Sequence, residues 1–225
     1  MIKNETLASK CVADILSLIM TGKLLPGEQI KGEYLKNMFG IGLSPIREAL
    51  SRLVKTDLVE FIDNAGFKVA RIDSNKVCDL YKSYAKIESL LLREAIENSD
   101  EYWESSIIAT LYQLSKVEGS GIKVLYQNWN IRNEEFHTAL INGCPLIGLK
   151  QIRKQMIVVK NWYHNLAYPT INSELIETTH YEHKKIAELS IKRKADIACD
   201  MLYKHSMHNL DGLLTNLKAN GHITD

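Results

Sequence analysis

Proline is scarce in this 225-residue chain, with four residues at positions 26, 45, 145 and 169, so long stretches run without a helix breaker. Cysteine is equally scarce: Cys11, Cys78, Cys144 and Cys199 are widely separated and form no C-x-x-C pair. That spacing excludes a disulfide framework or zinc ribbon and fits reduced, buried thiols. Charge of one sign is also missing. Twenty-eight Lys and Arg against 27 Asp and Glu leave a formal net charge of +1, so no global excess points to nucleic acid, a membrane surface or an acidic substrate. The longest apolar runs, such as Met156-Ile157-Val158-Val159, fall far short of a membrane span, and Met1-Ile2-Lys3-Asn4-Glu5 has no leader pattern, so a cytoplasmic protein without a membrane partner is expected. With 45% hydrophobic and 24% charged residues, the chain can bury a sizeable core and is not of disordered composition.

What is present is helical periodicity. Three helical patterns open the chain, roughly Thr6 to Thr21, Gly32 to Phe39, and a third from near Gly42 to Pro45 as far as Thr56. In Leu58 to Ala70, Val59 and Phe61 alternate with Glu60 and Ile62. Asp63-Asn64-Ala65-Gly66 supplies a turn, and Phe67 and Val69 then flank Lys68. Three helices and a hairpin make a winged helix-turn-helix. Beyond Asp73 the pattern is helical throughout, at about 74–98, 101–116, 121–141, 146–164, 173–192 and 195–218. The expected fold is mainly α: a winged helix-turn-helix over 1–73, then an all-helical bundle over 74–220.

On the third helix Ile46, Ala49, Leu50 and Leu53 recur at i, i+3, i+4 and i+7 and face the core, which leaves Ser44, Arg47, Glu48, Ser51, Arg52 and Lys55 outward. Ser44 before Pro45 reads as an N-cap with proline at the first helical position, and Gly42 as an alternative cap one turn earlier. Either start presents free backbone N–H groups at the leading end, where a recognition helix meets bases and phosphates. The first 75 residues hold 10 basic and 9 acidic side chains, so charge alone does not separate a DNA reader from an ordinary solvated face.

All seven histidines lie in the second part of the chain. If Lys192-Arg193-Lys194 turns an antiparallel helical hairpin, His183 and His205 stand at equal height on its two legs, and so do His180 and His208; symmetry does not choose between the pairs. Asn133 and His137, at i and i+4, share a helix face beside Trp129, Phe136 and Leu140. Neutral imidazoles from three helices with an oxygen ligand suit zinc, nickel, manganese or a similar divalent ion.

The residues also resemble a family. Gly40-Ile41-Gly42-Leu43-Ser44-Pro45-Ile46-Arg47-Glu48-Ala49-Leu50-Ser51-Arg52-Leu53, the preceding Leu25-Pro26-Gly27 and the trailing Asn64-Ala65-Gly66-Phe67-Lys68-Val69 look like the DNA-binding module of GntR-type bacterial regulators. Three further stretches are similar to the motifs of the FCD effector domain of the FadR-like branch: Asn133-Glu134-Glu135-Phe136-His137, Glu182-His183-Lys184-Lys185-Ile186 and Lys204-His205. The resemblance implies a homodimeric transcriptional regulator that binds a pseudo-palindromic duplex and answers to a small-molecule effector. It implies that Arg47 enters the major groove and that Gly66 lets the wing approach the minor groove. It also implies that Asn133, His137, His183 and His205 are the metal ligands, choosing His183 and His205 over His180 and His208.

Several positions depart from the family pattern. Leu43 and Ala65 stand where basic residues are common, which shifts the DNA-contacting burden to Arg47, Arg52, Lys55 and Lys68. Asn133 stands where the family has aspartate, so a metal loses one charged ligand. Tyr84 stands where members that bind organic acids often have arginine, and a phenol cannot form the bidentate pair a guanidinium makes with a carboxylate. Arg153, on a face with Leu149, Met156 and Lys160, is the candidate replacement cation, although a solvated arginine is the commoner state of that residue type. Two other classes compete. A three-histidine metalloenzyme would need a general base, for which Glu134 is the candidate, but no H-E-x-x-H accompanies it. A winged helix serving only protein contacts is the reading that the missing cations at Leu43 and Ala65 favour.

Overall fold

The structure, a computed structural model, describes residues 6–118, 122–167, 173–208 and 210–223. The chain divides into two compact units. One comprises Met1–Cys78 with Gln155–Thr170 and Asp211–Asp225, the other Asp79–Lys154 with Ile171–Leu210.

In the first unit, α1 (Leu7–Met20) starts where the Thr6 hydroxyl accepts the Ser9 backbone N–H, and it buries Ala8, Cys11, Ile15 and Ile19 at steps of three, four and four residues. α2 (Gly32–Phe39) ends on Gly40 at φ 66°, a left-handed C-cap that glycine adopts without a Cβ clash. α3 (Leu43–Val54) buries Ile46, Ala49, Leu50 and Leu53, the four positions that periodicity selects. Its N-cap is Gly42, so Ser44 and Pro45 lie inside the first turn and the Ser44 cap is corrected. Gly42 has no side chain to cap with, which leaves the leading N–H groups of α3 unclaimed by any side-chain cap.

The hairpin pairs β1 (Val59–Ile62) with β2 (Gly66–Val69) in the register Val59 to Val69, Glu60 to Lys68, Phe61 to Phe67 and Ile62 to Gly66. Asn64 at φ 63° and Gly66 at φ 78° take the positive φ values that so short a reversal needs. Residues 27–30 add an unforeseen third edge. Gly27 N–H donates to Val69 O (3.0 Å), Ile30 N–H to Phe67 O (2.8 Å), and Val69 N–H to Glu28 O (2.9 Å). The Leu-Pro-Gly turn therefore braces the wing from its other side.

The second unit is built from α4 (Ser74–Asn98), α5 (Glu101–Glu118), α6 (Ile122–Asn142), α7 (Ile147–Leu166), α8 (Ser173–Ile191) and α9 (Ala195–His208). The beginning of α4 and the larger part of α7, from Gln155 on, belong to the first unit, as does most of α10 (Leu210–Ala219). The helix expected over 195–218 is described as α9 and α10 on either side of residue 209, which lies outside the described residues. Leu91, Phe136, Leu140, Ile186 and Leu202 anchor a core drawn from α4, α6, α8 and α9, with Trp103 and Ile107 of α5.

The turn between α8 and α9 is held by Arg193, whose φ is 56°. Its guanidinium donates to Ile96 O (2.6 Å), Ser99 O (3.0 Å) and Glu104 Oε1 (2.7 Å), and sits 5.1 Å from the Trp103 ring centroid. It thereby satisfies carbonyls at and just beyond the end of α4 and fixes the hairpin that carries His183 and His205. Arg193→Ala is expected to cost about 1–2 kcal/mol, because one half-exposed cation serves several acceptors. A urea melt showing an unchanged midpoint would refute this role.

Candidate functional site

Two sites follow from the two units. On α3 the outward face presents Ser44, Arg47, Ser51, Arg52 and Lys55, all exposed, with Pro45 half-buried beside them. The structure separates the two arginines. Arg52 is already engaged, donating to Glu48 Oε1 (2.5 Å) and to Ser9 Oγ of α1 (3.2 Å). Arg47 has no ion pair among the described residues and is free to reach outward. At the wing, Gly66 sits beside the tip and Lys68 is half-buried in the central strand, opposite Glu60 and next to Gln29.

In the helical unit α6, α8 and α9 bring His137, His183 and His205 together, all buried, with one ring nitrogen of each within 4.8 Å of the others. The hairpin symmetry places His183 Nε2 3.2 Å from His205 Nε2. Two nitrogens each about 2.1 Å from one ion lie about 3.0–3.4 Å apart for right-angle to tetrahedral geometry, so this spacing suits a shared cation. His180 and His208, left equal by symmetry, point elsewhere. His180 Nδ1 bonds Glu118, and His208 Nδ1 lies 2.9 Å from Glu182.

Behind each central imidazole stands a glutamate that the sequence reading did not single out. His137 Nδ1 lies 2.8 Å from Glu88 Oε2, His205 Nδ1 2.8 Å from Glu182 Oε2, and His183 Nδ1 3.7 Å from Glu118 Oε1. A carboxylate on Nδ1 fixes the tautomer that leaves Nε2 as a lone pair, the arrangement commonly found behind metal-bound histidines. Burial, followed by neighbouring His205, His137 and His180, holds His183 well below the usual imidazole pKa, so it stays neutral as a ligand must. Among the described residues, the buried side-chain atoms without a hydrogen-bond partner include Asn133 Oδ1 and His183 Nδ1. An orphaned amide oxygen, three buried imidazoles and nearby carboxylates fit a divalent ion.

Arg153 is buried, which corrects the solvated reading. Its Nε donates to Glu88, its Nη1 to Glu134 Oε1 (2.9 Å) and its Nη2 to Tyr84 Oη (3.3 Å). Burial alone would push the Glu88 carboxyl up, but Arg153 and His137 outweigh it and hold the group far below the usual carboxylate range. Tyr84 is pushed the other way, mainly by burial and then by Glu88, so its phenol keeps its proton. Tyr84, Glu88, Arg153 and Glu134 therefore form one network running up to His137. A trace of Glu88 was present in the sequence: positions 84, 88 and 91 step i, i+4, i+7 along one face of α4, all three are buried, and a charge on such a face requires buried partners.

The chain matches the profile of "Bacterial regulatory proteins, gntR family" over residues 7–69 and that of the FCD domain over residues 79–208. It belongs to the GntR family, in the branch carrying an FCD domain. It is 27% identical to the HTH-type transcriptional repressor GlaR of Escherichia coli over 190 residues, covering 83% of this chain and 86% of that protein. It is 24% identical to the Nta operon transcriptional regulator of Aminobacter aminovorans over 195 residues, covering 86% and 88%. The fold is similar to that of E. coli McbR/YncC, with a TM-score of 0.73 at 18% identity, covering 93% of this chain and 98% of that one. This GntR regulator is a DNA-binding transcription factor with a helical effector-binding domain, and its curated relatives are transcriptional regulators. No helix among the described residues is long and apolar enough to cross a membrane.

Proposed function

We propose that the regulator acts as a cytoplasmic homodimer on a pseudo-palindromic operator, and that Asn133, His137, His183 and His205 hold a divalent ion, zinc, nickel or manganese, in its effector domain. The observation that carries the metal reading is the convergence of three buried imidazoles, two of them hydrogen-bonded to a glutamate, with the unpartnered Asn133 oxygen one helical turn from His137. When bound, the ion would supply a Lewis-acidic anchor for an effector atom. The chain's part is to gather the three imidazoles, to fix the tautomers of His137 and His205 through Glu88 and Glu182, and to keep His183 neutral by burial. We take 1–73 as the DNA-reading part and 74–220 as the part that binds effector and dimerises. Glu88 of α4 and Arg153 of α7 join His137 to the two helices that each contribute residues to both compact units, a covalent route from effector site to DNA reader. Nothing in the arrangement requires catalysis: Glu134, the candidate base, is engaged by Arg153 and by the Thr138 hydroxyl (2.9 Å).

Arg47 is the proposed major-groove anchor, with Ser44, Pro45, Ser51, Lys55 and the wing residues Gly66 and Lys68 around it. Arg52 serves first to tie α3 to α1. A bidentate arginine–guanine contact contributes about 1–3 kcal/mol, so Arg47→Ala should weaken binding to a selected operator about tenfold or more in fluorescence anisotropy at fixed salt. Equal affinity of variant and wild type would remove Arg47 from this role. The same assay on zinc-loaded and chelator-treated full-length protein tests the regulatory reading, with an operator Kd that shifts between the two states as the expected result.

A further inference from the structure

Resting on the reading of the helical unit as an effector site, we propose that Glu134 is a specificity-determining residue that shuts out carboxylate effectors, so that the ligand beside the three histidines is uncharged. A small carboxylate entering this pocket would need a cation to receive it. Among the described residues around the triad, the buried cation is Arg153, and it is already matched by two carboxylates of the chain, Glu88 through Nε and Glu134 through Nη1 at 2.9 Å. Its remaining terminal nitrogen donates to Tyr84 Oη at 3.3 Å, and the Tyr84 hydroxyl itself bonds Glu88. Both residues that a sequence reading would offer to an anion are therefore spent on internal partners.

Of the two carboxylates, Glu88 is sealed in the core and also carries His137, so it belongs to the frame of the site. Glu134 is different. Its side chain is a third exposed, it leaves from the residue next to Asn133, and it is held in place by the Thr138 hydroxyl one helical turn on. It is the Arg153 partner that reaches solvent, so a ligand carboxylate seeking that guanidinium must displace a tethered competitor. The electrostatics act in the same direction. Glu88, Glu118, Glu134 and Glu182 oppose one buried guanidinium, so even with a divalent cation bound the formal charge of these groups is negative, and another anion adds repulsion that a hydroxyl or amide ligand does not.

The test is calorimetry of full-length protein with succinate and its uncharged analogue succinamide, run on both zinc-loaded and metal-free samples. Wild type should show no saturable succinate binding below about 10 mM. Glu134→Gln and Glu134→Ala should each bind succinate at least tenfold more tightly than wild type, with succinamide binding unchanged. Glu135→Gln, which removes a glutamate paired with Arg132 (2.6 Å) one residue away, controls for a general change in charge and should gain nothing. The proposal is overturned if wild type binds succinate with sub-millimolar Kd, if neither Glu134 variant gains affinity, or if Glu135→Gln gains as much. Because the gain runs through Arg153, it is read in metal-free protein as well; absence of any zinc binding would sink the metal reading while leaving this result interpretable.

Discussion

Arg153→Ala is expected to destabilise the protein by about 3–5 kcal/mol, the range for removing one partner of a buried ion pair. The reason lies in what remains. Glu88 has no solvent exposure, and without the guanidinium its carboxylate keeps, among the described residues, His137 and the Tyr84 hydroxyl as polar partners. Burial, which already opposes ionisation of Glu88, would then face a much weaker opposing field, and the group would take up a proton or draw in water. A protonated Glu88 also stops orienting His137, so metal affinity should fall together with stability, by about 10–100-fold. Chemical denaturation gives the first number and zinc titration the second. The double variant Glu88→Leu/Arg153→Met removes both charges and should recover most of the lost stability but none of the metal affinity. Recovery of both, or of neither, would show that the pair does not hold the site in the way described.

The sequence exposed repeating features more readily than single partners. Ile46, Ala49, Leu50 and Leu53 could be placed because a helix in contact with a core repeats its apolar positions, and all four are buried. The wing could be placed because its register follows from alternation about a turn. His183 and His205 could be levelled because an antiparallel hairpin is symmetric about its turn, and their Nε2 atoms lie 3.2 Å apart. That symmetry left His180 and His208 equally placed, since height along a helix says nothing about azimuth; family resemblance chose, and the structure turns the rejected pair toward Glu118 and Glu182. The glutamates behind the histidines were not legible. Glu118 and His183 are far apart in sequence on separate helices, and no local spacing encodes that they meet. Arg153 was misjudged for a related reason: residue type favours solvent, and only the long-range partners Glu88 and Glu134 make burial tolerable. Gly42 capping α3 stood open beside Ser44-Pro45, because helical periodicity does not fix where the first turn begins; the structure starts the helix at Leu43 with Gly42 as its cap.

The second large effect is expected on metal removal. An ion that binds the folded protein alone stabilises it by RT ln(1 + [L]/Kd), about 2.7 kcal/mol at a hundredfold excess over Kd, so zinc, nickel or manganese should raise the melting temperature and a chelator should reverse the change. His183→Ala should abolish that response, because His183 is fully buried and its Nε2 faces His205 at the centre of the cluster. Asn133→Asp should enlarge it by placing an anionic oxygen where an unpartnered amide oxygen now sits. His208→Ala should do little, since that ring is half-exposed and touches only the far oxygen of Glu182, while the near one still orients His205. His180→Ala should fall between these limits: His180 is the ring that holds Glu118, and Glu118 is the carboxylate nearest His183 Nδ1. A melting temperature indifferent to all three ions and to chelator, in a protein purified without metal, would overturn the site. A response that survives His183→Ala would instead move the ion to other ligands. The ordering of the four variants is the sharper test, because a histidine cluster that merely packs would be weakened by His183→Ala without any dependence on added metal.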